Sequence, residues 1–110
     1  MSKPIDPQAA MQQIWELAPR YAKAKSERIY LEEYRKSKKA LLMQTSQEKS
    51  AVMQERDAYA DPDYIALLAG LRAAVEAEET LRWRMVASEA AIEIWRSQEA
   101  SNRTIDRATR

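Results

Sequence analysis

The chain holds a single glycine, Gly70, in 110 residues. Only glycine takes positive backbone φ without a steric penalty, so a chain this poor in it cannot make many tight hairpin turns, and β architecture is disfavoured. Ala, Glu, Arg, Lys, Gln, Leu and Met, all good helix formers, fill the positions instead. Hydrophobic residues make up 45% of the chain and the formal net charge is +1. That balance is far from the low-hydrophobicity, high-charge signature of disorder. The expectation is a folded, all-α chain.

Prolines divide it. Asp6-Pro7 and Asp61-Pro62 both read as helix starts, because Asp accepts orphan N–H groups and Pro is pre-set for the first helical position. A short N-terminal helix is expected over residues 7–17, followed by Pro19, which either kinks the helix or sits in the first turn of the next one. Residues 20–59 contain neither Gly nor Pro and are expected to form one long helix. Thr45-Ser46-Gln47-Glu48 fits a capping box and offers a place for that helix to restart. A third helix is expected over residues 62–102, with residues 103–110 as a tail. Two long helices joined at Asp61-Pro62 must lie antiparallel. The predicted fold is therefore one helical domain built on a long antiparallel, coiled-coil-like hairpin, with paired residue numbers summing to about 122. Lys36 and Lys38 would then face Arg84.

On the last helix, Leu67, Leu71, Ala74, Leu81, Met85, Ile92 and Trp95 recur at spacings of three, four and seven, with Glu78 and Ser88 as polar gaps. This is one apolar stripe. Tyr30, Tyr34, Leu41, Val52 and Tyr59 are expected to oppose it. A second apolar line, Trp83, Val86, Ala90 and Ile94, falls about 200° further around the axis. One partner helix cannot cover both lines. The N-terminal helix, with Met11, Ile14, Trp15 and Leu17, is expected to cover part, and a second subunit the rest, making the chain a homo-oligomer.

The near-neutral total hides a charge asymmetry. Residues 20–39 hold eight basic and three acidic side chains, and residues 40–80 hold three basic and eight acidic. Folding at Asp61 is expected to put the acidic block at the hairpin tip and to bring the basic block beside Arg82, Arg84, Arg96 and Arg103. Basic groups near Tyr21, Tyr30, Tyr34, Trp83 and Trp95 supply what single-strand binding needs, cations for phosphates and rings for bases. The candidate nucleic-acid-binding residues are Arg28, Arg35, Lys36, Lys38, Lys39, Arg84, Arg96 and Arg103. Many of the same charges also form i,i+4 pairs, such as Glu32 with Lys36, that support a solvated helix.

The chain has no Cys and no His, which removes thiolate nucleophiles, the commonest general base and the commonest zinc ligand. Glu76-x-x-Glu79 matches only half of the paired-acid magnesium motif of all-α nucleotide pyrophosphohydrolases. No Gly-rich phosphate loop is present. No catalytic residue, metal or cofactor is expected. The start of the chain lacks an apolar leader, and no run approaches the roughly 18 apolar residues of a membrane span, so the expected location is cytoplasmic.

Three segments together, Arg28 to Met43 (RIYLEEYRKSKKALLM), Ala58 to Tyr64 (AYADPDY) and Leu81 to Arg103 (LRWRMVASEAAIEIWRSQEASNR), resemble small helical proteins of bacteriophage recombination and replication modules. They are similar in order to UvsY-type recombination mediators, which share a basic helix, a short link and a Trp-bearing helix. The resemblance implies an oligomeric, non-enzymatic accessory protein of the host cytoplasm that binds single-stranded DNA. It would help a recombinase displace single-strand-binding protein, with the Trp83 line assembling subunits. The competing reading is a helical protein-interaction module, an adaptor or inhibitor of a host protein that binds no nucleic acid.

Overall fold

A computed structural model describes residues 3–109. It contains three helices, α1 (Pro7–Thr45), α2 (Ala51–Ala60) and α3 (Pro62–Thr109), and no strand among the described residues. The fold is the all-α antiparallel hairpin expected from the sequence, with α1 and α3 as its arms. Contacts divide the chain into two compact units, Met1–Tyr21 with Thr80–Arg110, and Ala22–Glu79. Both arms pass from one unit into the other.

Each Asp-Pro pair starts a helix as expected. The Asp6 carboxylate accepts from the N–H groups of Gln8 and Ala9 at 3.0 and 3.2 Å. Asp61 accepts from the Asp63 N–H at 2.8 Å through its side chain and from the Ile65 N–H at 3.1 Å through its carbonyl. Pro19, however, does not end a helix. α1 runs through it, so the separate helix over 7–17 does not exist. Pro19 removes one backbone donor, which would have met the carbonyl of Trp15, and Trp15 is 69% exposed. On the opposite side, Ile14, Leu17 and Tyr21 keep an unbroken line of burial across the proline. Packing therefore holds the helix where local propensity would break it.

The single helix over 20–59 is replaced by two. α1 ends at Thr45, and α2 starts five residues later on Ser50, whose hydroxyl accepts from the Met53 N–H at 3.2 Å. Between them the Ser46 hydroxyl donates to Asp57 at 2.8 Å and accepts from the Glu48 N–H at 3.1 Å. Such side-chain bonds offer the backbone an alternative to the helical ladder. The capping box beginning at Thr45 is not used; Thr45 instead donates to the Leu42 carbonyl at 2.9 Å. At the other end α3 continues to Thr109, through most of the expected tail.

The break after Thr45 resets the register. In the Ala22–Glu79 unit, Arg28 meets Glu78 and Lys38 meets Asp63, so the expected pairing of residue numbers that sum to about 122, which faced Lys38 with Arg84, does not hold there. Residues 46–61 are consumed by the link and α2, and the arms close around that longer connection rather than around Asp61 alone.

Along α3, Tyr64, Leu67, Leu71, Ala74, Glu78, Leu81, Met85, Ser88, Ile92 and Trp95 are all buried or half-buried. Their alternating three- and four-residue spacing is the a/d seam of a coiled coil. From Leu67 to Trp95 it is the stripe read from the sequence, polar gaps included, and Tyr64 extends it by one position. The opposing line on α1 differs from expectation. Leu17, Tyr21, Ala24, Arg28, Leu31, Arg35, Lys38 and Leu42 face inward at the same spacing, whereas Tyr30, Leu41 and Val52 are 61%, 52% and 77% exposed. Tyr34 and Tyr59 are exposed as well. The α1 seam hides from hydrophobicity because small and cationic side chains occupy it, their stems covering apolar surface. Two polar pairs bridge the seam, each inside one unit: Arg28 with Glu78, and the Ser88 hydroxyl donating to Gln13 Oε1 at 3.1 Å.

Candidate nucleic-acid interface

In the Ala22–Glu79 unit, the last turns of α1 converge with α2 and the start of α3. Arg35, Lys36, Lys39, Ala40 and Met43 line one side of a cavity of about 560 Å³, and Tyr59 and Tyr64 line the other. The Tyr59 and Tyr64 rings meet edge to face, with centroids 5.3 Å apart and planes at 66°. The Lys39 ammonium lies 4.8 Å from the Tyr59 ring centroid and 3.5 Å from Glu55 Oε1. Interaction with the Tyr59 hydroxyl raises the Lys39 pKa, burial opposes the shift, and Glu55 adds to it. Lys39 is thus held as a cation beside an aromatic face, a favourable arrangement for both groups.

The expected cationic set is only partly gathered. Arg35, Lys36 and Lys39 share the cavity, and Lys36 also reaches Glu33 at 3.4 Å on the exposed side of α1. Lys38 turns to Asp63 at 3.9 Å. Arg28 is committed to the seam: its Nε and Nη2 donate to Glu78 at 2.6 and 2.9 Å, and its Nη1 donates to Glu32 at 3.1 Å. Arg84, Arg96 and Arg103 belong to the other unit. There Arg84 borders a shallow groove with Lys3, Asp6, Gln13 and Ser88, and Arg96 pairs with Glu93 at 3.1 Å. Arg103 is exposed on α3.

The expected separation of charge is also absent within the Ala22–Glu79 unit. Glu55, Asp63 and Glu78 pair with Lys39, Lys38 and Arg28, so the basic and acidic blocks interleave. Opposite charges on the two blocks favour this register over one that would set cation against cation. Sequence reasoning missed Tyr59, Tyr64 and Met43 as companions of the cations, having set Tyr59 in the hairpin core. The available signal was Tyr59 and Tyr64 flanking Asp61-Pro62, two rings placed on either side of a chain bend.

The second apolar line is open, as its position opposite the seam dictates. Trp83, Val86 and Ile94 are 58%, 37% and 51% exposed, and Ala90 is exposed with them. The Arg82 guanidinium lies over the Trp83 ring at 4.9 Å. Among the described residues no group of three or more acidic side chains is placed to hold a metal ion, and no helix is long and apolar enough to cross a membrane. No protein-family model, curated protein or solved structure matches the chain.

Proposed function

We propose that this protein is a non-enzymatic accessory factor that binds single-stranded DNA through the cavity between α1, α2 and α3. The carrying observation is that Arg35, Lys36 and Lys39 share one concave surface with the rings of Tyr59 and Tyr64. Cations take phosphates and an aromatic face takes a base, with little sequence preference. Arg28 and Lys38 act instead as structural charges. The likeness to recombination mediators supplies a setting, in which the protein helps load a recombinase or displace single-strand-binding protein while the Trp83 line assembles subunits.

Fluorescence anisotropy with a labelled oligonucleotide tests this reading. Three phosphate contacts give a logarithmic salt slope of about −2 for a single strand. The triple reversal of Arg35, Lys36 and Lys39 to Glu abolishes binding, and Tyr59→Ala weakens it about tenfold, within the range for one stacked base. Absence of binding by the wild type at low salt overturns the proposal. It would leave the protein-interaction reading, which the exposed Trp83, Val86 and Ile94 side chains favour.

A further inference from the structure

We infer that the outer face of α3 is an isologous interface, on which a second copy of this chain lies antiparallel. The inference rests on reading the Trp83 line as a subunit interface, and it is independent of DNA binding. At 100° per residue, Trp83, Val86, Ala90 and Ile94 fall within about 80° of one another on the side of α3 away from its seam. Arg82 and Glu93 lie together on one flank of that line, about 20° apart.

Read in opposite directions, this face is complementary to itself. When Val86 stands level with Ala90 of a second copy, Trp83 comes within a residue of Ile94 of that copy, and Arg82 within a residue of its Glu93. Two-fold symmetry repeats each pairing. In antiparallel helix pairs the same flank of each helix meets its counterpart, so Arg82 and Glu93 approach across the interface. The alanines near the centre, Ala87 and Ala90, let the two backbones approach closely. A parallel arrangement would instead put the Arg82 and Glu93 flanks of the two copies on opposite sides of the interface, where they could not pair, and would crowd two tryptophans at one level. Trp and Arg are also the residues that most often carry interface energy. The pairs within one chain, Arg82 over Trp83 and Arg96 with Glu93, already hold these groups on the surface that the second copy meets.

The absence of native cysteine makes single-cysteine cross-linking a clean test. Ala87 sits close to the proposed two-fold axis, and Ala87→Cys forms a disulfide dimer under mild oxidation. Ser97 shares the face, but antiparallel copies hold the two Ser97 positions roughly 27 Å apart. Ser97→Cys therefore does not cross-link. Equal cross-linking at both positions overturns the antiparallel geometry. Light scattering at high micromolar concentration gives a dimer or an even multiple, and Trp83→Ala with Ile94→Ala gives half that mass with unchanged helix content. A monomeric wild type overturns the interface itself. Arg82→Glu and Glu93→Arg each raise the dissociation constant about tenfold, and the double variant restores it, because the two residues are too far apart on one helix to pair within a chain. Failure of that rescue overturns the pairing. None of these readouts depends on nucleic acid.

Discussion

Arg28 closes a two-pronged fork on Glu78 across the α1–α3 seam, Nε at 2.6 Å and Nη2 at 2.9 Å. The Glu78 side chain is 7% exposed and that of Arg28 is 24% exposed. A charged pair at an a/d position fixes register, because any slip of one arm along the other leaves a carboxylate in the seam without its partner. Hydrogen bonding to Glu78 is the largest influence on the Arg28 guanidinium and holds its pKa above the ordinary arginine value.

Breaking one side of this fork should therefore cost more than removing both. Arg28→Leu and Glu78→Leu should each lower the melting temperature by several degrees. The double variant, which leaves no stranded charge, should recover most of that loss. Thermal denaturation followed by circular dichroism measures all three. Additive losses would mean that the fork does not act as a coupled pair.

Leucines distinguish the seam from the outer surface of α1. Leu17 is 2% exposed and Leu41 is 52% exposed. Leu17→Ala should cost about 3 kcal/mol in urea unfolding, whereas Leu41→Ala should stay within about 0.5 kcal/mol. A reversed order would contradict the observed α1 seam.

Pro19 interrupts the hydrogen-bond ladder inside α1. Pro19→Ala restores the donor and relieves the ring clash, so it should stabilise the chain by roughly 1–3 kcal/mol. Ser50→Ala should act in the opposite direction, losing about 1 kcal/mol with the α2 cap. Denaturant midpoints for the two variants should move to opposite sides of the wild type.

Lys39 sets the expected pH dependence. Its pKa is raised above the ordinary lysine value, first by Tyr59 and then, against the opposing effect of burial, by Glu55. A cation favoured in the folded state contributes stability that is fully present below the unfolded pKa and is lost as pH rises through the folded pKa. The stability difference between wild type and Lys39→Met should thus be flat from about pH 6 to about pH 9 and shrink in strongly alkaline solution. The chain has no histidine to add a step in the neutral range. A change centred near neutrality would show that Lys39 does not carry this contribution.

The inward line of α3 was readable residue by residue because its side chains announce themselves. Leu67, Leu71, Leu81, Met85, Ile92 and Trp95 recur at helical spacing, and only Glu78 and Ser88 interrupt them. The inward line of α1 was not readable, because Ala24, Arg28, Arg35 and Lys38 occupy it while Tyr30 and Leu41 point outward. Periodicity detects apolar seams, and this seam is held partly by ion pairs. The candidate site suffered from the same cause. Its cations could be named from the sequence, but their aromatic companions followed from a register that hydrophobicity alone placed wrongly.

The sequence by itself determined that the chain is helical and where α1 and α3 start, since scarcity of glycine, abundance of helix formers and the Asp-Pro pairs act locally through backbone geometry. Tertiary structure decided where α1 breaks, whether Pro19 breaks it, and which residues oppose one another. Those outcomes depend on which charges find partners at a distance and on how much of the chain the link consumes. The single glycine excluded most folds, and the arms' mutual contacts, Arg28 with Glu78 among them, selected the register of the one that remained.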